Sequence, residues 1–268
     1  GVGVVFDRLA RDVVVQLEGP IGHAYDVDVD PLGQSVAVCF HGGHVHRYEL
    51  ETGALLKKYK GHAGVPRGVR KVKFSPDGRL LASVAEDSTL RIWDVQDGTQ
   101  LHLFKARADV NTVAWGPGAG QVVFATDAGL HMVDVEARRG RSRDTGPIAE
   151  VQIADGVIYT AWDGAIRALD SELELLFELE QEDVSRLRVA PGLLYAASWR
   201  GRDVGVSRWD LDTRTRDVLL GSSASESAPA VWALALDAER ELLYVGVSPS
   251  GAVTSGVLAM ALDELRAR

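Results

Sequence analysis

A unit of about forty residues recurs along this chain, and that recurrence limits the possible folds more than any other feature. The unit is clearest from Val69 to Lys105, where four short stretches rich in β-branched and apolar residues are separated by turn formers. The turns are Ser75 to Gly78, Glu86 to Ser88 and Gln96 to Gly98. Alternating apolar runs of this length bounded by Gly, Pro, Asp and Ser predict four antiparallel strands, here called a to d. The same frame places the start of strand a at Ala24, Val69, Val110, Ile148, Val184 and Val231, with steps of 45, 41, 38, 36 and 47 residues. A chain of such units buries its apolar faces between neighbours, so the expected fold is all-β and built of stacked four-stranded sheets. The 268 residues then form one domain, with units at about 23–61, 62–105, 106–146, 147–181, 182–221 and 229–268.

Composition narrows the function classes. A formal charge of −9 opposes non-specific attraction to nucleic acid or to an anionic membrane, so neither is expected as a partner. Cys39, the single cysteine, lies in the apolar run Val36 to Phe40, which fits a reducing cytoplasmic setting without disulfides. No apolar stretch approaches the ~20 residues of a membrane-spanning helix. The chain begins without methionine. That start admits a longer parent in which this module regulates a covalently linked effector domain.

Residues 61–94 resemble a repeat of the WD-repeat β-propeller family. Gly61 and His62 precede strand a, Phe74 to Gly78 follow it, and Trp93-Asp94 closes strand c. The resemblance implies a closed propeller of four-stranded antiparallel blades, six on this spacing and seven as the alternative. It also implies a buried hydrogen-bonded tetrad of His62, Ser83, Asp87 and Trp93. Elsewhere the pattern decays: the first unit has Tyr48-Glu49 for Trp-Asp and Gly42 for the turn Asp, while the fifth keeps Trp209-Asp210. At the ends, Val4 to Asp7 and Asp12 to Leu17 align with strands c and d. The last unit lacks strand d, so Asp12 to Leu17 is expected to complete it and close the ring.

Nothing in the sequence forms a catalytic constellation or a cofactor motif, so no enzyme activity, cofactor or metal is expected. His41, His44 and His46 lack a nearby cysteine or acidic ligand. Asp26, Asp28 and Asp30 lack the glycine and distal glutamate of a calcium loop. Arg138 to Arg143 is expected to be a solvated c–d loop. The family resemblance points instead to a protein-interaction scaffold or sensor whose partners dock on the channel rim. The rim positions are His41, Glu86, Thr126, Trp162 and Arg202 ahead of the b–c turn positions. Trp199 and Arg200 share the last of these loops, and Tyr25, Arg70 and Trp232 lie near strand a starts. Trp and Arg in such places are the types that dominate interface energetics. The alternatives are a propeller hydrolase of the lactonase kind, which needs convergent acidic residues or histidines, and a nucleic-acid or phosphoinositide binder.

Overall fold

The computed structural model describes residues 2–7, 12–20, 23–62, 68–118, 120–198, 205–221, 230–237, 242–248 and 256–261. Every described element is a β-strand. An N-terminal hairpin, β1 (Val2–Asp7) and β2 (Asp12–Glu18), is followed by six antiparallel sheets. The first sheet is β3 (Ala24–Val29), β4 (Ser35–Phe40), β5 (His44–Glu49) and β6 (Leu55–Tyr59). The second is β7 (Val69–Phe74), β8 (Leu80–Ala85), β9 (Thr89–Asp94) and β10 (Gln100–Lys105). The third is β11 (Val110–Trp115), β12 (Gln121–Thr126), β13 (Gly129–Asp134) and β14 (Arg139–Asp144). The fourth is β15 (Val151–Ala154), β16 (Val157–Trp162), β17 (Ala165–Leu169) and β18 (Leu175–Glu180). The fifth is β19 (Val184–Ala190), β20 (Leu193–Ser198), β21 (Gly205–Asp210) and β22 (Arg216–Gly221). The sixth has three strands among the described residues: β23 (Ala230–Asp237), β24 (Leu242–Ser248) and β25 (Gly256–Ala261).

Each sheet is a meander in which consecutive strands pair, because the connecting turns carry their own hydrogen bonds. In the β7–β8 turn, Ser75 Oγ donates to Asp77 at 2.6 Å and accepts from the Leu80 amide at 2.9 Å. Gly78 supplies the left-handed residue that this turn requires, at φ 70°. Asp30 does the same work between β3 and β4, accepting from the Leu32 amide at 2.8 Å and the Ser35 amide at 2.5 Å. The fourth sheet begins at Val151 rather than Ile148; Ile148 is itself buried ahead of the strand.

The chain divides into two compact units, residues 1–147 and 148–268. Within the first, strands β3, β7 and β11 are neighbours, so the first strands of three successive sheets adjoin. Within the second, β15, β19 and β23 do the same. The core lies between sheets. Side chains alternate across a strand, so β4 sends Ala37 and Cys39 toward the second sheet, where they join Val69, Val72 and Trp93. Its intervening residues Val36, Val38 and Phe40 pack with Leu17 of β2 and with Tyr48. A strand covered on both faces explains the unbroken apolar run Val36–Phe40, and burial pushes the Cys39 thiol pKa up. The same two-sided packing joins the second and third sheets through Val84, Ile92, Val113 and Phe124. In the second unit, Ile166 meets Leu187 and Trp209, and Tyr195 meets Leu234 and Val245.

Val4 to Asp7 and Asp12 to Leu17, aligned in the sequence with strands c and d, pair with each other, with Val2 opposite Glu18 and Asp7 opposite Asp12. Strands adjacent in sequence pair at low loop entropy, so Val4 to Phe6 is an integral half of a hairpin. Arg139 to Asp144 is a strand, β14, not a loop: each of its residues has a partner in β13, with Gly129 opposite Asp144 and Asp134 opposite Arg139.

Candidate functional site

The second sheet joins His62, Ser83, Asp87 and Trp93 into one buried chain of hydrogen bonds. The Trp93 indole N–H donates to Ser83 Oγ at 2.8 Å, and Ser83 Oγ lies 2.7 Å from His62 Nε2. His62 Nδ1 lies 3.0 Å from Asp87 Oδ2. The polarity follows from the ends. Asp87 accepts, so the His62 proton sits on Nδ1, Nε2 is an acceptor, and the Ser83 hydroxyl donates to it. Thr89, absent from the expected set, donates its hydroxyl to Asp87 at 2.6 Å and lies 3.2 Å from His62 Nδ1. Burial pulls the His62 pKa down, against the opposing pull of Asp87, so the contact is a hydrogen bond of a neutral ring rather than an ion pair. Every polar atom here has a partner and Ser83 and Trp93 are fully buried, so the cluster holds the sheet together and has no reactive group facing solvent.

The fifth sheet carries a related network that the sequence pattern did not disclose. Trp209 Nε1 donates to Gln181 Oε1 at 2.7 Å, Gln181 Nε2 donates to Ser198 Oγ at 3.0 Å, and Ser198 donates to the Glu182 carbonyl at 3.0 Å. A primary amide presents one acceptor and one donor, which lets Gln181 stand where an imidazole stands in the second sheet. The signal was the buried Trp209 itself, whose indole N–H needs an acceptor near the start of β19. In the first sheet Tyr48 takes the place of the tryptophan. Its hydroxyl donates to the Glu18 carbonyl at 2.6 Å and meets His46 Nδ1 at 3.0 Å.

Among the described residues the surface positions form two groups. Tyr25, His41, Arg70 and Glu86 come together where the first and second sheets adjoin. The rings of Tyr25 and His41 are 6.3 Å apart, and Arg70 pairs with Glu86 at 2.6 Å. Gly68 seats the group: the Glu86 amide bonds to its carbonyl at 3.3 Å. A Cβ at Gly68 would lie 2.7 Å from the Tyr25 ring and 2.9 Å from His41 Cα. Tyr25 is 52% exposed, a large fraction for an aromatic ring. Trp162 forms a second group. Asp163 and Gly164, at φ 50° and 73°, make the tight β16–β17 turn, and the Arg167 guanidinium lies 4.5 Å above the Trp162 ring. The ring therefore gains cover within its own sheet. Thr126 leaves the surface set: it is 1% exposed, and its Oγ1 accepts from the Ala128 and Gly129 amides at 3.1 and 3.2 Å. A short hydroxyl beside a tight turn is drawn inward by those amides. Trp199, Arg200 and Arg202 lie outside the described residues, and Trp232 is placed only as a member of β23.

The aspartates and histidines considered for metal do other work. Asp26 and Asp28 accept from the Val72 and Phe74 amides at 3.2 and 2.8 Å, capping the free edge of β7. Lys73 adds an ion pair to Asp28 at 2.5 Å. Among the described residues no three His, Cys, Asp or Glu side chains group closely enough to hold a metal ion, and no helix is long and apolar enough to cross a membrane.

With this geometry in view, comparison with known proteins gives the family. The "WD domain, G-beta repeat" model matches residues 53–94, the stretch that holds the whole tetrad. Residues 53–94 are a WD repeat. Similar WD-repeat relatives include the "Small ribosomal subunit protein RACK1" of Schizosaccharomyces pombe, 34% identical over 90 residues, covering 34% of this chain and 28% of that protein. Another is the "Serine-threonine kinase receptor-associated protein" of Gallus gallus, 44% identical over 61 residues, covering 23% of this chain and 17% of that one. The matched segments thus span less than a third of these relatives. Among solved structures, the β-propeller domain of Cps50 (Swd1) from Myceliophteria thermophila superposes with a TM-score of 0.74 at 17% identity, covering 90% of this chain and 88% of that one. At that identity the likeness shows the fold, a β-propeller, and the sheets described above are its blades.

Proposed function

We propose that this chain is a non-catalytic protein-interaction module, a scaffold or sensor, that docks protein partners on the surface shared by Tyr25, His41, Arg70 and Glu86. The observation that carries this reading is the half-exposed Tyr25 ring beside the Arg70–Glu86 pair, seated by Gly68. A ring of this size supplies contact area at little entropic cost, and Arg70, 45% exposed at its side chain, offers directed donors. The names of two relatives, a ribosomal-subunit protein and a receptor-associated protein, each describe a component of an assembly. A second docking group in the proposal is Trp162 with Arg167, and by sequence position Trp199, Arg200, Arg202 and Trp232 are added to it. It includes closure of six blades into one ring and a longer parent protein in which the module controls an effector. Deleting residues 1–19 tests closure: an unchanged cooperative melting transition overturns it.

The test of function is capture from a lysate of the source cells with the intact chain and with a Tyr25→Ala/Arg70→Ala variant of unchanged circular dichroism. A partner held by the first and lost by the second is the expected result. Equal capture by both removes the surface from the account.

A further inference from the structure

Between β2 and the β5–β6 hairpin lies a cavity of about 670 Å³, a size that takes a small organic ligand. His44, His46 and Tyr48 alternate onto one face of β5, and Lys58 of β6 stands directly opposite His46. All four line the cavity, as do Lys60, Leu55 and a single acidic side chain, Glu18. On a chain of net charge −9 this is a local inversion of sign. Neither Lys58 nor Lys60 has an ion-pair partner among the described residues.

The second observation concerns His46. It is 6% exposed, yet it lines the cavity. Its tautomer is set by Tyr48: that hydroxyl spends its proton on the Glu18 carbonyl at 2.6 Å, so it accepts from His46 Nδ1–H at 3.0 Å. Nε2 is then a lone-pair acceptor with no hydrogen-bond partner among the described residues. This acceptor without a donor stands on the same cavity as two unpaired ammonium groups. The complementary ligand brings negative charge together with an acidic proton. A carboxylate brings only the charge. A phosphomonoester brings both, because its second ionisation falls near pH 6.

We propose that this cavity binds a phosphomonoester, with Lys58 and Lys60 meeting the phosphate oxygens, one proton held between a phosphate oxygen and Nε2 of His46, and the organic body resting on Leu55. The site is separate from the protein-docking surface and does not depend on it. Burial first, then the charges of Lys58 and His44, hold the His46 pKa down to about 4.

The test uses the full chain at pH 6 with phenyl phosphate and phenyl sulfate, two anions of similar shape of which only the first still carries an acidic proton. Titration calorimetry should show saturable phenyl phosphate binding, with phenyl sulfate weaker by about tenfold, the equivalent of one hydrogen bond to a charged group. The exposed pair Lys58→Ala/Lys60→Ala should weaken phenyl phosphate by about tenfold or more while leaving the circular dichroism melt unchanged. The ¹⁵N resonance of His46 Nε2 should shift with phenyl phosphate and not with phenyl sulfate. Absence of saturable binding, equal affinity for the two anions, or equal binding by the lysine variant overturns the proposal.

Discussion

Replacing Ser83 with alanine isolates the energetic centre of the WD repeat. The change removes one oxygen and leaves two buried groups facing a methyl. The Trp93 indole N–H loses its acceptor at 2.8 Å and His62 Nε2 loses its donor at 2.7 Å. Ser83 is 0% exposed, Trp93 1% and His62 7%, so water cannot reach in to replace either bond without opening the sheet. Each orphaned buried group costs about 1–3 kcal/mol, which places Ser83→Ala at about 2–6 kcal/mol of destabilisation. The assay is urea denaturation followed by far-ultraviolet circular dichroism, with the midpoint converted at constant slope. Trp93→Phe alone removes the donor together with the need for its acceptor, so it should cost less than Ser83→Ala. Combining the two should recover part of the loss, a coupling of about 1 kcal/mol. A Ser83→Ala loss below about 0.5 kcal/mol, within the range of ordinary surface changes, would show that the hydrogen-bonded chain does not hold the blade.

Further expected outcomes concern other blades and pH. His46 titrates near 6.5 when unfolded and near 4 when folded, so the unfolded chain takes up the proton first. Its contribution is therefore whole above pH 6.5 and declines as pH falls toward 4, by about 2–3 kcal/mol, which denaturation at stepped pH measures. His62, lowered in the same direction, adds to that acid loss. Gln181→Leu should destabilise the fifth blade by about 1–3 kcal/mol by orphaning the Trp209 indole, whereas Gln181→His should retain more stability; urea midpoints decide between them. Gly164→Ala should cost about 1 kcal/mol through its positive φ alone, since open space surrounds the position, and an unchanged melting temperature would refute that strain.

How much of this was legible in advance depended on how local each signal is. The repeat and its strands follow from alternation and turn chemistry within a few residues, as at Ser75 to Gly78, where sequence and hydrogen bonds coincide. His62, Ser83, Asp87 and Trp93 could be named because the repeat holds them at recognisable places, and the structure joins them. Gln181 could not, because it lies three residues before Val184 and His62 seven before Val69, and because an amide shares hydrogen-bonding capacity with imidazole but not its letter. Thr126 and Trp162 show the opposite difficulty. Their places ahead of a tight turn mark them as candidates for exposure, but local partners decide the outcome: amides draw Thr126 inward and Arg167 covers Trp162. The pairing of β2 with β1 follows from their alignment with strands c and d, which are neighbours in each four-stranded sheet.

The docking surface is tested most directly by hydrogen–deuterium exchange on the chain with and without a captured protein partner. The expected result is slowed exchange at residues 23–26, 40–43, 68–70 and 86–88, the backbone around Tyr25, His41, Arg70 and Glu86, with the outer strands β6, β10 and β14 unchanged. Protection confined to those outer strands, with none around Tyr25 and Arg70, would contradict it.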